Sequence, residues 1–472
     1  MRDPAAIPGL RVTVMGLGVH GGGLASALFF ARRGAEVTVT DLRGPDALAP
    51  SLERLAGLPV RFVLGRHDTA DFESADLVIK NPAVATDSPF LSAARGRSVP
   101  VETDVSVFLS LSRSPVIAVT GTKGKSTTAS AIHHGLLRVS SGARLGGNIT
   151  VSPLEFLDEL APADPVVLEL SSWQLGDLAG RGLLAPRVSV LTVLLPDHLD
   201  RYPDMDAYVE DKKAVFREQQ PGQRAVFNRD DPRQAEFPGE TRAEPFWYSA
   251  AALPTDLPGA WLEGTEGRLR TVRGAEARTV LAGSRLAGNH NRMNLLAAGL
   301  TLSLYGVKAE VIVRALAEFP GVEHRLELFH EAGGVRWYDD STATMPHASA
   351  AALAALEPPV VLVAGGTDKG LDYAPLAAAA RRAAAIVLLA GTATDKLRPL
   401  LEAGGTAYEG PFDALDPAVT RAVELAGSLR NRGLAGTPVS VVLSPGCASF
   451  GMFQNEFDRG RRFKETVRRL AR

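Results

Sequence analysis

The sequence predicts an α/β protein of three domains, each built around a mainly parallel sheet. Short apolar runs rich in β-branched residues alternate along the chain with stretches of helical character, a pattern typical of parallel sheets covered by helices. Two glycine-rich loops each follow one of these runs and open a candidate helix. The length of 472 residues is too great for one ordinary core, since domains average roughly 150 residues.

Composition narrows the class of protein further. Apolar residues make up 45% of the chain and charged residues 22%, values ordinary for a soluble globular protein. The formal net charge of −2 gives no sign of general attraction to nucleic acid or membrane surfaces. The single cysteine, Cys447, excludes an internal disulfide framework, and there is neither a signal-peptide pattern nor a membrane-spanning run. We therefore expect a cytoplasmic protein without nucleic-acid partners or membrane insertion.

The first predicted domain covers residues 1–112. A strand candidate at Leu10–Met15 leads into a Gly-x-Gly-x-x-Gly turn at 16–21, and a second strand ends in Asp41. A glycine-rich turn after one strand and an acid after the next form the dinucleotide fingerprint. The pattern alone favours NAD, and a structural turn without nucleotide is the alternative. A further strand candidate at 76–82 gives three strands with crossovers, which predicts a small Rossmann-like domain.

The second predicted domain, residues 113–320, carries the most specific motif. An apolar strand candidate runs into Gly-Thr-Lys-Gly-Lys-Ser-Thr at 121–127, and a helix candidate follows. Such a loop points backbone N–H groups and a helix N-terminus at a polyanion, while Lys125 adds a positive charge. Ser126 is placed to bind the Mg²⁺ that accompanies a nucleotide triphosphate, and a glycine turn capped by Ser126 is the alternative. The general phosphate-binding loop has Gly where this chain has Val119, so this loop is a variant.

Three more residues are predicted to lie near the same sheet edge. Glu169 closes a nearly continuous apolar strand candidate, 166–172, and His198 follows the next one, 188–195. Lys212 comes later, on a helix candidate. A carboxylate in a sheet covered on both faces needs water, a cation or a metal, and ligands bind at the C-terminal edge of such sheets. Metal or phosphate contact is therefore the prediction, with a solvated Glu169 and a surface His198 as the alternatives.

Two amides lie further along the second domain. Asn291 and Asn294 stand three residues apart, so they share one face of a helix candidate. Contact with a nucleotide and helix capping are equal interpretations of this pair.

The third predicted domain, residues 321–472, repeats the alternation of strand, loop and helix. Three buried strand candidates, 360–364, 386–390 and 439–443, each run into a loop that begins with glycine or serine. An alanine-rich stretch at 377–385 is interpreted as helix. The alternation predicts another Rossmann-like domain.

Four strings, in their order along the chain, resemble the Mur ligases, and the resemblance covers essentially the whole sequence. They are Thr120–Thr128, Leu168–Leu175, Asp197–Tyr202 and Gly288–Asn294. The second string, Leu-Glu-Leu-Ser-Ser-Trp-Gln-Leu, is most similar to family members that add D-glutamate. The resemblance implies an ATP- and Mg²⁺-dependent amide ligase that adds D-glutamate to UDP-N-acetylmuramoyl-L-alanine through an acyl phosphate.

The resemblance also implies roles for individual residues. Catalysis would depend on Lys125, Glu169, His198 and Lys212. The metal ligands would be Ser126, Glu169, His198 and a Lys212 carbamylated by CO₂. ATP would be bound by Gly121, Thr122, Lys123, Gly124, Lys125, Ser126, Thr127, Asn291, Asn294, Arg325 and Asp340. The UDP-linked substrate would be bound by Gly16, Gly18, Asp41, Arg43 and Asn148, and the amino acid by Thr344, Lys369 and Ser449.

Four positions depart from the family pattern. Val193, Thr342 and Met345 stand where many members that add D-glutamate have Asn, Lys and Asn, and Glu456 precedes Phe457 instead of following it. The first two departures bear on nucleotide or metal contacts, and the last two bear on the amino-acid pocket. The sequence therefore specifies the reaction better than the preference for D- or L-glutamate.

Two alternative functions remain open. One is a neighbouring Mur ligase or a folylpolyglutamate-type ligase, although the folate enzymes usually begin directly with the phosphate-loop domain. The other is a non-catalytic nucleotide-binding regulator, against which the complete set of Lys125, Glu169, His198 and Lys212 argues. The expected partners are the UDP-muramoyl nucleotide and glutamate, and we expect the chain to act as a monomer.

Overall fold

A computed structural model describes residues 4–18, 21–149, 151–197, 201–286, 288–431 and 438–471. Contacts between Cα atoms divide the chain into two compact units, one of Met1–Gly283 with Met293–Ala317 and one of Ser284–Arg292 with Glu318–Arg472. The first unit contains two sheets and the second unit contains one. Most strand pairs are parallel and helices connect them, so the predicted α/β fold class is confirmed.

The first sheet has five parallel strands in the order β3-β2-β1-β4-β5. The strands are β1 (Arg11–Met15), β2 (Glu36–Asp41), β3 (Val60–Leu64), β4 (Leu77–Lys80) and β5 (Val101–Glu102). The helices are α1 (Gly22–Arg32), α2 (Pro45–Arg54), α3 (Thr69–Glu73), α4 (Pro89–Gly96) and α5 (Asp104–Leu111). The prediction of three strands is wrong by two, because only one of the five β3 residues is buried and β5 has only two residues.

The second sheet has nine strands in the order β14-β13-β12-β11-β10-β9-β6-β8-β7. They are β6 (Val116–Thr120), β7 (Arg144–Gly147), β8 (Val166–Glu169), β9 (Val188–Leu191), β10 (Arg224–Asn228), β11 (Glu244–Ser249), β12 (Gly259–Glu263), β13 (Glu266–Arg270) and β14 (Arg278–Leu281). The associated helices are α6 (Lys125–Leu136), α7 (Ser172–Leu178), α8 (Met205–Arg217), α9 (Asn289–Tyr305) and α10 (Ala309–Glu318). Only the β12–β13 and β13–β14 pairs are antiparallel among these described strands.

The middle of this sheet explains why its strands have continuous apolar sequences. Strands β6, β8 and β9 are adjacent and every residue in them is buried. Two predicted strands end earlier than expected. Strand β8 stops at Glu169 because Ser171 caps α7 and accepts a hydrogen bond from the Gln174 amide. Strand β9 stops at Leu191, and the Leu194 amide beyond it donates to the Asp231 carboxylate instead of to a strand.

The third sheet has six strands in the order β15-β16-β20-β17-β18-β19, and only β15 is antiparallel to its described neighbour. They are β15 (Glu327–Ala332), β16 (Val335–Asp339), β17 (Val360–Ala364), β18 (Ala385–Leu389), β19 (Glu409–Phe412) and β20 (Val439–Leu443). The helices are α11 (Pro346–Ala355), α12 (Ala374–Ala380), α13 (Thr392–Ala403), α14 (Leu415–Asn431) and α15 (Glu456–Leu470).

In this sheet the predicted strands at β17, β18 and β20 are confirmed, whereas the helix predicted at 377–385 is partly wrong. Helix α12 ends at Ala380, and Ala385 already belongs to β18. Alanine is compatible with both environments, so the run itself does not mark where the helix ends. In the described part of the chain, no helix is long and apolar enough to cross a membrane.

Candidate active site

The loop between β6 and α6 has the geometry of a phosphate cradle. Its last residue, Gly124, has φ +89° and precedes the first turn of α6. A Cβ at this position would lie 2.3 Å from the Asn294 side-chain oxygen, so the close approach requires glycine. Gly124 makes no side-chain cap hydrogen bond, and the first N–H groups of an α-helix, which point away from the helix body, form a favourable site for an anion.

The segment after β9 holds this loop in place. The Thr192 hydroxyl donates to the Lys123 carbonyl at 2.7 Å, and the Thr122 amide donates to the Val193 carbonyl at 2.7 Å. The Thr122 hydroxyl accepts from the Leu195 amide at 3.0 Å and lies 3.0 Å from the Tyr208 hydroxyl. These contacts fix the backbone that would surround a phosphate.

Glu169 is a buried carboxylate at the end of β8, in register with Val119 of β6. Glu169 is only 1% exposed. One of its carboxylate oxygens, Oε1, accepts a hydrogen bond from the side-chain amide nitrogen of Asn148 at 2.9 Å. The other oxygen, Oε2, is buried and has no hydrogen-bond partner among the described residues. A buried oxygen left in this way costs free energy, which a bound cation would recover.

Lys212 projects from α8 onto the phosphate loop. The residue is 1% exposed, and its Nζ donates to the Gly121 carbonyl at 2.8 Å and lies 4.6 Å from the centre of the Tyr208 ring. Burial, and then repulsion by the Lys125 ammonium, hold the pKa of Lys212 well below its ordinary value. Glu169 is close enough to act in the opposite direction on the same pKa.

The neighbouring Lys213 has different surroundings. Its Nζ lies 2.7 Å from a Glu240 oxygen and 3.4 Å from a Glu210 oxygen, in a pair of ordinary ion contacts. The two lysines therefore differ clearly, since only Lys212 hydrogen-bonds the described part of the phosphate loop.

The other residues predicted for this site differ in burial and in their hydrogen-bond or ion-pair partners. Ser126 is buried in the first turn of α6, and the Lys123 ammonium lies 3.3 Å from an Asp197 oxygen. Asn148, predicted for the UDP-linked substrate, hydrogen-bonds Glu169 through its side chain and its backbone amide. The predicted metal ligand His198 lies outside the described residues.

The glycine-rich turn of the first sheet engages Asp41. The Gly18 amide donates to Asp41 Oδ2 at 3.2 Å, and the Arg43 guanidinium lies 3.0 Å from the same oxygen. The Arg43 amide donates to Asp41 Oδ1 at 2.9 Å. Burial pushes the pKa of Asp41 up, but the Arg43 and Gly18 hydrogen bonds outweigh it and the pKa lies below its ordinary value. Gly16 packs closely against Asn81. A Cβ added at position 16 would lie 3.0 Å from the Asn81 Cβ.

Asp340 in the second unit is a buried acid directly after β16. Its oxygens accept from the Ser444 hydroxyl at 2.7 Å and from the Leu326 amide at 3.0 Å. Burial raises the pKa of Asp340 to about 7. Arg325, one of the predicted nucleotide contacts, is exposed and near enough to lower that pKa slightly.

The predicted amino-acid residues of this unit lie at loops of the third sheet. Lys369 is exposed on the loop after β17, and Ser449 is buried on the loop after β20. Paired backbone hydrogen bonds between Thr367 and Ala448, at 3.2 and 3.0 Å, join these two loops. Thr344 is half-buried in the segment between β16 and α11.

Two residues that support the site carry no motif in the sequence. Thr192 bonds the phosphate loop, and Asn148 bonds Glu169, yet neither stands at a spacing that predicts its partner. Their partners are 69 and 21 residues away, so only the folded sheet brings them together.

Comparison with known proteins identifies the family. Three family models match: the Mur ligase MurD-like N-terminal domain at 10–103, the Mur ligase middle domain at 119–302, and the Mur ligase glutamate ligase domain at 324–430. The UDP-N-acetylmuramoylalanine--D-glutamate ligase of Treponema pallidum (strain Nichols) is 41% identical over 98% of each chain. The enzyme of the same name from Roseiflexus sp. (strain RS-1) is 43% identical over 98% of this chain and 99% of its own.

A solved structure supports the fold independently. The UDP-N-acetylmuramate-alanine ligase MurC of Thermotoga maritima matches with a TM-score of 0.60 and 20% identity, over 98% of this chain and 99% of its own. The protein is an α/β protein with a phosphate-binding loop. It belongs to the Mur ligase family, as the sequence motifs predicted.

Proposed function

We propose that the protein is an ATP-dependent amide ligase of peptidoglycan precursor synthesis, which adds D-glutamate to UDP-N-acetylmuramoyl-L-alanine. The observation that carries the proposal is the unpartnered Glu169 oxygen at the sheet edge that also holds the phosphate loop, in a chain with full-length relatives named for this activity. We also propose that it acts as a cytoplasmic monomer with domains at 1–112, 113–320 and 321–472.

The chemistry requires activation of a poor electrophile. An oxygen of the alanyl carboxylate attacks the γ-phosphorus of ATP, ADP leaves, and an acyl phosphate forms. The glutamate amine then attacks the acyl carbon, phosphate leaves with the electron pair of the C–O bond, and the amine loses a proton. Lys125 and the N–H groups of α6 stabilise the phosphate charge, so catalysis is mainly positioning and electrostatic stabilisation.

The residues at the sheet edge fit Mg²⁺. Carboxylate and hydroxyl oxygens are the ligands that this cation prefers, and Glu169 supplies a buried carboxylate oxygen whose partner is missing among the described residues. Ser126 and Glu169 would hold one ion, and His198 with a modified Lys212 would hold a second. Bound Mg²⁺ neutralises phosphate charge during transfer.

The modification of Lys212 is part of this proposal. A cationic lysine has no lone pair to give a metal, whereas its neutral amine reacts with CO₂ to form a carbamate and release a proton. Burial beside Lys125 favours the neutral amine. The alternative is an unmodified Lys212 that neutralises phosphate directly.

The remaining site residues divide between three ligands. Gly16, Gly18, Asp41 and Arg43 would bind the uridine diphosphate end, as the family resemblance implies, with the Asp41 carboxylate holding the Gly18 amide and the Arg43 side chain in place. Asn148 would contact the same substrate nearer to Glu169. ATP would also contact Thr127, Asn291, Asn294, Arg325 and Asp340. Glutamate would contact Thr344, Lys369 and Ser449.

Turnover with defined substrates tests the proposal. ADP and phosphate should form only when ATP, Mg²⁺, UDP-N-acetylmuramoyl-L-alanine and D-glutamate are all present. A panel of UDP-muramoyl acceptors and amino acids, including L-glutamate, identifies a neighbouring ligase if another pair is preferred. Equal turnover with tetrahydrofolate and L-glutamate contradicts the proposal, as does ATP binding without any turnover.

A further inference from the structure

Three loops meet at the C-terminal edge of the third sheet. They are the loop at 365–370 after β17, the start of α13 after β18, and the loop at 444–450 after β20. A Cβ on Gly366 would lie 2.8 Å from the Ala448 carbonyl oxygen, so two of these backbones touch. The Gly366 amide also donates to the Thr394 hydroxyl at 3.2 Å, which joins the third.

Asp368 is the centre of the contacts within the first loop. Its backbone amide donates to the Thr392 hydroxyl at 3.0 Å. One carboxylate oxygen accepts from the Tyr373 hydroxyl at 3.0 Å and from the Leu371 amide at 3.3 Å. The other oxygen forms an ion pair with Lys396, one turn into α13.

This arrangement surrounds the residue that the proposed function assigns to the amino acid. Lys369 follows Asp368 directly and is an exposed residue, whereas the Asp368 side chain is 14% exposed. Lys396 lowers the pKa of Asp368 to about 2, so that carboxylate is charged throughout the working pH range. Unless it is paired, a charged carboxylate beside Lys369 competes for the Lys369 ammonium and repels a dicarboxylic substrate.

We propose that the Asp368–Lys396 ion pair positions Lys369 for the incoming dicarboxylic amino acid, which makes Asp368 and Lys396 positioning residues. The inference rests on the proposed function, in which Lys369 contacts the glutamate substrate. Lys396 both neutralises the carboxylate next to Lys369 and ties the loop to α13. A loop held in its binding conformation loses less entropy when the ligand arrives, so the pair lowers the KM for glutamate.

Steady-state kinetics of Lys396→Met, Asp368→Asn and the double variant test this inference. Each single variant should raise the KM for D-glutamate about fivefold, the scale of one partly exposed ion pair. The KM for ATP should change less than twofold. The double variant should be no worse than either single variant, because both remove the same interaction. Lys396→Arg should restore a KM near that of the wild type.

A matched control lies on the same helix. Arg398 donates to the Tyr408 hydroxyl at 2.9 Å, away from the Asp368 cluster, so Arg398→Met should leave both KM values unchanged. Thermal unfolding of every variant separates a local effect from general loss of folding.

Four results overturn the inference. If Lys396 touches glutamate itself, Lys396→Met raises the KM while Asp368→Asn leaves it unchanged or lowers it. If the pair is only structural, the KM values for ATP and glutamate rise together and the unfolding temperature falls. If the wild type does not use D-glutamate at all, the proposed function fails and the inference fails with it. An active wild type with unmoved KM values overturns the inference alone.

Discussion

Replacing Lys212 with Ala is the most stringent test of the proposed chemistry. We expect Lys212→Ala to be nearly inactive, with turnover reduced at least about 10²-fold, the scale for removing one preorganised partner of a developing charge. The side chain it removes is 1% exposed and contacts the phosphate loop at Gly121. The space that it leaves is therefore enclosed and next to the phosphate loop.

The cost in folding stability should be modest. The substitution removes three buried methylene groups, worth about 2 kcal/mol in transfer free energy. It also removes a buried amine whose depressed pKa reports a penalty for its charged form, which offsets part of that loss. With the cavity and the lost hydrogen bond to the Gly121 carbonyl included, denaturant unfolding should show a folded variant less stable by about 2 to 3 kcal/mol, so the loss of activity is not a loss of fold.

Rescue distinguishes a carbamate from a simple cation. Acetate or formate fits the space left by the side chain and supplies the same carboxylate oxygens, so either should partly restore turnover of Lys212→Ala. Removal of bicarbonate should reversibly lower wild-type turnover. An inactive variant that neither anion rescues, together with a wild type indifferent to bicarbonate, supports the unmodified lysine and refutes the carbamate.

Lys213→Ala is the matched control. Lys213 pairs with Glu210 and Glu240 near the surface, so its loss should cost at most about 1 kcal/mol and leave activity intact. Full activity of Lys212→Ala, or an inactive Lys213→Ala, would refute the assignment of Lys212.

Three other predictions follow from the described contacts. Lys369→Ala should raise the KM for glutamate far more than the KM for ATP in steady-state kinetics. An unchanged KM for glutamate would mean that Lys369 is a surface residue without a role in glutamate binding. Calorimetric titration should detect the UDP-linked substrate but not NAD at the Gly18–Asp41 site, and tight NAD binding contradicts that reading. Asp340 has a pKa of about 7 when folded, against about 3.9 when unfolded, so folding takes up a proton between these values. The contribution of Asp340 to wild-type stability should fall by up to about 4 kcal/mol as pH rises from about 4 to 7. Asp340→Asn should gain stability relative to the wild type over the same range in denaturant titrations, and a constant difference contradicts the assignment.

Strong local patterns predicted the centre of each sheet but missed both edge strands of the first sheet. Strands β6, β8 and β9 are buried on both faces, so their apolar runs are unmistakable. The two edge strands of the first sheet lack that constraint, because only one of the five β3 residues is buried and β5 is only two residues long. The pattern also extended strands beyond their ends, because a loop buried against the sheet is as apolar as the strand before it.

The candidate site was predictable wherever a residue type stands at a fixed distance from a motif. Lys125 and Ser126 follow from the glycine loop, and Glu169 follows from a charge at the end of an apolar run. The contacts of Thr192 and Asn148 were not predictable, because their partners come from other strands of the folded sheet.

The departures from the family pattern have unequal consequences, because at one of them a backbone carbonyl supports the phosphate loop whatever the side chain is. At Val193 the carbonyl still accepts from the Thr122 amide at 2.7 Å, so support of the phosphate loop does not require the Asn side chain. Thr342 is different, because its hydroxyl donates to the His324 carbonyl at 2.7 Å and it supplies no positive charge. That departure bears on nucleotide or metal contacts, so a positive charge supplied there by a lysine in other members is absent at position 342 of this chain. The amino-acid pocket has a different support, because Lys369, which we propose contacts glutamate, is exposed and directly follows Asp368, whose carboxylate is paired with Lys396.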